Sequence, residues 1–171
     1  PRGFRPVLDP AGKLRLPSYF VDRGIPASVA IEYGVGECRG GDYDGRVLIP
    51  AYDPDGVLKT FQCRATDGRE PKYLSAPVRR GSTLLGLKQA AGAEEVVLVE
   101  GPFDVLGCAR SGARAVALLG KTISPAQCGL VEALEARVVI LLDPEAGSDV
   151  AKVHRALAAR GVAAEVATLP A

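Results

Sequence analysis

The stretch that most constrains how this chain can fold is Val96-Val97-Leu98-Val99-Glu100-Gly101-Pro102-Phe103-Asp104-Val105-Leu106. Its unbroken, valine-rich opening reads as a strand buried on both faces, as a parallel sheet requires. Glu100 stands where that apolar run ends, and open α/β sheets collect ligands outside the carboxyl ends of their strands. Asp104 then falls in the first turn of the following helix, where a negative charge suits the helix dipole. Two carboxylates therefore meet at one sheet edge. Acids at a strand end and a helix start also occur as plain decoration, so the stretch calls for a second feature beside it.

The second feature lies forty residues on. Val138-Val139-Ile140-Leu141-Leu142 is another apolar run, followed by Asp143-Pro144-Glu145-Ala146-Gly147-Ser148-Asp149. If the two strands are parallel neighbours, Glu100 and Asp143 share one rim, with Asp104, Glu145 and Asp149 a few residues further along. Carboxylates gathered in this way repel one another and raise one another's pKa unless a cation sits among them. Oxygen-only ligands favour Mg²⁺ or Mn²⁺ over Zn²⁺.

From Glu94 onward, strand and helix patterns alternate. Strands are expected at 95–100, 113–119, 137–142 and 162–169, and helices at about 103–111, 124–135 and 147–160. Gly112 and Gly161 close two of the helices, while Ser124-Pro125 opens one as an N-cap followed by proline at the first helical position. Such alternation specifies an α/β fold, with a mostly parallel sheet and helices on both faces.

The first half reads differently. Residues 1–16, with Pro1, Pro6, Pro10 and Gly12, suggest a loose leader or linker. Short helices are expected at 19–25 and 26–33, closed by Gly24 and Gly34. Arg46–Tyr52 and Val57–Ala65 form a hairpin across Asp53-Pro54-Asp55-Gly56. Residues 1–90 hold 14 Lys/Arg against 10 Asp/Glu, a net +4, whereas residues 91–171 hold 7 against 10, a net −3. A basic lobe joined to an acidic one suits a phosphate-handling protein, whose cations hold the polyanion while its carboxylates hold metal.

At 171 residues the chain suits one domain or two small lobes, and its lack of Met suggests a fragment or a processed product. No apolar run approaches the roughly 20 residues of a membrane helix, and no signal peptide opens the chain. Cys38, Cys63, Cys108 and Cys128 form no CxxC pair, and with His154 they do not read as a zinc site. The expectation is a cytoplasmic protein with buried free thiols and no membrane partner.

Glu100-Gly101 with Asp104, followed by Asp143-Pro144-Glu145-Ala146-Gly147, resembles a TOPRIM domain across about residues 92–169. The preceding half resembles the basic lobe of bacterial and phage DnaG-like primases. It carries Gly45-Arg46-Val47-Leu48-Ile49-Pro50, Phe61-Gln62-Cys63-Arg64, Pro71-Lys72-Tyr73-Leu74-Ser75, and Arg80-Gly81 with Leu84-Leu85-Gly86-Leu87, in the family's order. The implied organisation is a leader at 1–16, a smaller mixed α+β basic lobe at 17–91 and a TOPRIM domain at 92–171. Two departures stand out: the family's metal motif has a second Asp where this chain has Glu145, and Lys121 stands where a small polar residue is usual.

The resemblance implies RNA primer synthesis by nucleotidyl transfer from NTPs on a single-stranded DNA template. Glu100 would be a general base or metal-adjacent carboxylate, Asp104, Asp143 and Glu145 metal ligands, and Asp149 a weaker one. The metal would be Mg²⁺ or Mn²⁺, with no zinc in this segment. Arg46, Arg64, Lys72 and Arg80 would contact template and nucleotide phosphates, and Tyr73 could stack on a base. A replicative helicase and a zinc-binding primase domain would be partners supplied elsewhere. A TOPRIM metal-dependent nuclease and a non-catalytic single-stranded-DNA-binding replisome module are the alternatives.

Overall fold

The computed structural model describes residues 1–78, 80–143 and 147–168, apart from the side chains of Arg80 and of 147–149. Its internal contacts divide the chain into two compact units, Pro1–Pro50 with Leu58–Val78, and Ala51–Val57 with Arg79–Ala171.

The first unit is built on a five-stranded sheet ordered β1-β2-β3-β4-β5, from Phe4–Pro6, Gly36–Cys38, Arg46–Tyr52, Leu58–Ala65 and Tyr73–Ser75. The strands β1 and β2 pair antiparallel, as do β2 with β3 and β4 with β5. Two short helices, α1 (Ser18–Asp22) and α2 (Ala27–Glu32), lie between β1 and β2 in the chain and contribute Phe20, Val29 and Ala30 to the buried interior. The expected hairpin is present, and Asp53 closes its turn by accepting the Val57 N–H at 2.8 Å. One expectation is corrected: residues 4–6 are no loose leader but an edge strand. Pro6 is tolerated there because an edge strand needs no donor on its open side, and Val7 beyond it is buried. The pairing depends on Gly36, where a Cβ would lie 2.2 Å from the Arg5 carbonyl oxygen.

The second unit carries a four-stranded sheet ordered β7-β6-β8-β9, from Ala115–Ala117, Glu95–Val99, Arg137–Ile140 and Ala164–Val166. Every neighbouring pair is parallel, as the alternation required. The helices are α3 (Leu87–Ala90), α4 (Pro102–Arg110), α5 (Pro125–Glu132) and α6 (Gly147–Ala158). Alternate residues of the strands face opposite ways. Val96, Leu98, Val138 and Ile140 pack with Cys128 and Val131 of α5 and Val153 and Leu157 of α6, while Val97 and Val99 share a cavity wall with Gly107 and Cys108 of α4. Burying aliphatic side chains on this scale contributes about 1.5–3 kcal/mol for each Val, Leu or Ile. Gly86 precedes α3 in a left-handed conformation (φ +87°), with the Ala115 carbonyl where a Cβ would be.

Two boundaries move. The compact units part between Val78 and Arg79 rather than at residues 91 and 92, because Leu84 and Leu87 belong to the core under the parallel sheet. Helix α5 ends at Glu132 rather than near 135, where Glu135 adopts a left-handed conformation (φ +52°) and turns the chain into β8.

Candidate active site

The parallel register fixes the acidic rim. Val97 pairs with Val139 and Leu98 with Ile140, and the Leu141 amide donates to the Leu98 carbonyl at 2.9 Å. Both strands therefore run out at the same edge, and Glu100 and Asp143 follow within three residues of the last pair. The Asp143 backbone N–H donates to the Glu100 carboxylate. Asp104 occupies the third position of α4 and accepts the Gly101 N–H at 2.9 Å, the return half of a capping box. All three carboxylates line one cavity of about 640 Å³, whose other walls are mostly apolar and include Val97, Val99 and Leu141.

The electrostatics are those of partly desolvated acids that also repel one another. The Glu100 carboxyl is pushed above the usual carboxylate range, chiefly by partial burial and then by Asp143 and Asp104, while the Asp143 amide and Lys121 oppose the rise. Asp104 is raised too, by loss of hydration against the cavity wall and by Asp143, although its outer surface is exposed to solvent. One oxygen of Glu100, Oε1, is buried with no hydrogen-bond partner. A buried, unsatisfied carboxylate oxygen is costly unless something meets it.

These features fit a hard divalent cation. The donors are oxygens, they repel one another, and one of them, Glu100 Oε1, is buried without a hydrogen-bond partner. Among the described residues no group of three or more acidic, His or Cys side chains is placed to hold a metal ion by itself. Glu145 lies outside the described residues, as does the side chain of Asp149, so Glu100, Asp104 and Asp143 are the part of the expected set that is brought together.

The basic candidates divide by environment. Arg46 is only 3% exposed, and its Nη1 donates to the carbonyls of Pro71 at 2.9 Å and Lys72 at 3.5 Å. Nη1 is thus engaged inside the fold, where it holds the 71–72 segment. Lys72 is exposed on that segment, and Arg64 lies over the Tyr73 ring at 4.9 Å and the Tyr19 ring at 6.0 Å. Stacked guanidinium groups keep their in-plane donors available for a planar or phosphate partner. The backbone of Arg80 forms a 3-10 turn through Ser82, and its side chain lies outside the description.

Two residues of this basic and aromatic face were missed from sequence. Arg23 lies 4.8 Å from the Tyr19 ring, extending the series Arg23, Tyr19, Arg64, Tyr73. Their i, i+4 spacing along α1 and its cap was the available signal. A third omission is Gln127, 1% exposed, which donates to the carbonyls of Thr83 and Leu118, each at 2.9 Å, and secures the loop after β7.

Residues 97–171 match the Toprim-like family. Over 138 residues the chain is 34% identical to the DNA primase of Synechococcus elongatus, covering 71% of this chain and 20% of that protein. Its identity to the DNA primase of Synechocystis sp. is 36% over 131 residues, covering 67% and 21%. The chain thus spans about a fifth of the length of these curated relatives. Among solved structures it shares the fold of the Aquifex aeolicus primase (zinc-binding and RNA polymerase domains), with a TM-score of 0.81 at 24% identity over 90% of this chain and 49% of that one. The DnaG primase catalytic domain bound to ssDNA superposes with a TM-score of 0.79, also at 24% identity, over 90% and 63%. With an acidic rim on its parallel sheet and primase kinship running through both halves, the chain belongs to the DnaG-like primase core family.

Proposed function

We propose that this chain carries the nucleotidyl-transfer site of a DNA primase, joining NTPs into RNA on a single-stranded DNA template. The observation that carries the proposal is the convergence of two acids, Glu100 and Asp143, just beyond the ends of adjacent parallel strands, where both line one cavity. The DnaG relative described with ssDNA supports the choice of template.

Glu100, Asp104 and Asp143 would hold Mg²⁺ or Mn²⁺, with Glu145 and Asp149 as further ligands. A divalent metal held there would supply Lewis-acid stabilisation of charge at the attacking 3′-hydroxyl and the leaving oxygens. Glu100, partly desolvated and raised in pKa, would accept the proton of that hydroxyl. Asp104 is held in one orientation by the Gly101 amide, which limits the reorganisation needed when a cation arrives. Lys72, Arg64 and Arg80 supply charge for template and nucleotide phosphates, and Tyr73 supports Arg64 from beneath. The helicase and the zinc-binding primase domain that such a core works with would come from other segments or other chains.

The test is incubation with labelled NTPs, a single-stranded template and Mg²⁺ or Mn²⁺. Template-dependent oligoribonucleotides are expected. Template shortening would instead indicate a nuclease, and binding without turnover a non-catalytic module; either outcome overturns the proposal.

A further inference from the structure

The loop that follows β7 carries a cation to the same rim as the acids. Leu118 donates its N–H to the Val99 carbonyl at 3.0 Å, and Leu119 donates to the Glu100 carbonyl at 2.9 Å. The loop is thus bonded directly to the residue that ends β6. From its other side, the buried Gln127 amide grips the Leu118 carbonyl at 2.9 Å, and Gln127 Oε1 accepts the Ser124 N–H at 3.1 Å. Leu119 itself takes a left-handed conformation (φ +60°) that a branched residue rarely adopts. Between these two anchors stand Gly120 and Lys121, and Lys121 is exposed. A tethered, solvated ammonium therefore sits on a fixed base beside Glu100, and its field reaches that carboxylate.

We propose that Lys121 is a nucleotide-binding residue, presenting its ammonium to a phosphate oxygen of a nucleoside triphosphate held at the acidic rim. The inference rests on the proposed nucleotidyl-transfer reading of that rim and names one contact of its substrate. A triphosphate approaching Glu100, Asp104 and Asp143 meets like charge, and cations must offset it. Metal supplies part of that charge. A lysine built on a doubly anchored loop supplies a further part before any metal binds, and its flexible stem lets the ammonium follow the phosphate. Had the loop served only to end β7, neither its bond to Glu100 nor the left-handed Leu119 would be required.

The experiment compares the whole chain with Lys121→Met and Lys121→Arg, titrating ATP in the presence of Mn²⁺ by calorimetry. Mn²⁺ affinity without nucleotide is measured in parallel by electron paramagnetic resonance. Loss of one partly exposed charge-assisted hydrogen bond predicts ATP binding about tenfold weaker in Lys121→Met and near wild type in Lys121→Arg. Mn²⁺ binding should be no weaker in Lys121→Met, because a competing positive charge has gone. ATP affinity of Lys121→Met within about twofold of wild type, below the effect of one such bond, overturns the proposal. So does a parallel loss of Mn²⁺ affinity, which would make the lysine structural, or a wild-type chain that does not bind ATP. A chain that shows the expected ATP dependence yet makes no oligoribonucleotide overturns the primase reading and leaves the Lys121 contact standing.

Discussion

The backbone N–H of Asp143 donates to the carboxylate of Glu100, so the two acidic strand ends are joined across β6 and β8. The bond orients Glu100 while leaving its buried Oε1 without a partner. Glu100→Gln and Asp143→Asn keep the shapes and remove charge. Each should lower template-dependent oligoribonucleotide synthesis by roughly a hundredfold or more, the scale of losing one preorganised electrostatic contact. Circular dichroism and melting temperature should show the fold intact. Near wild-type synthesis in either variant would remove that carboxylate from the site.

Burial of the rim carboxylates, and to a smaller extent their mutual repulsion, also sets a pH dependence. Glu100 and Asp104 titrate above their ordinary values near 4.5 and 3.8, so the folded chain binds their protons more readily than the unfolded chain. Stability therefore falls as pH rises through the interval between the ordinary and the raised values, and below that interval the two groups contribute nothing. In a chelator, Glu100→Gln should be at least as stable as wild type at neutral pH, with the difference closing as pH drops toward about 4. Adding Mn²⁺ at neutral pH should raise the wild-type melting temperature more than that of Glu100→Gln. Melting curves over this pH range, with and without Mn²⁺, check both statements.

The parallel half was legible because its signals are local. Valine runs, closing glycines and the Ser124-Pro125 start each act within a few residues, and the points where the apolar runs stop put Glu100 and Asp143 at strand ends. Strand β1 was not legible, since its three residues become a strand only through Gly36 and Glu37, thirty residues on. The burial of Arg46 was not legible for a related reason. A charged side chain suggests surface by default, and only the fold brings the Pro71 and Lys72 carbonyls over it. The site's third carboxylate, Asp104, was legible as a helix-start acid, but not that its bond to Gly101 would hold it toward the cavity.

Arg46 and Lys72 are expected to fail differently. Arg46→Ala leaves two internal carbonyls without their donor and opens space in a buried position, a cost of roughly 2–4 kcal/mol. Lys72→Ala removes an exposed charge and should leave stability within about 0.5 kcal/mol. On single-stranded DNA, Lys72→Ala should bind more weakly, with a shallower dependence of affinity on salt. Urea unfolding and fluorescence anisotropy at several salt concentrations separate the two. An unchanged salt slope for Lys72→Ala would exclude a phosphate contact there.

Gln127 couples stability to the rim without touching it. Its amide satisfies the Thr83 and Leu118 carbonyls, and its Oε1 takes the Ser124 N–H at the start of α5. Gln127→Leu nearly preserves volume but leaves those buried groups unpaired, which should cost roughly 2–4 kcal/mol by urea unfolding. Leu118 precedes the residue bonded to Glu100, so the loop carrying Lys121 loses one of its two anchors. Below its melting temperature, Gln127→Leu should therefore also bind ATP more weakly than wild type. Equal ATP affinity in Gln127→Leu and wild type would show that the loop needs no anchor from α5.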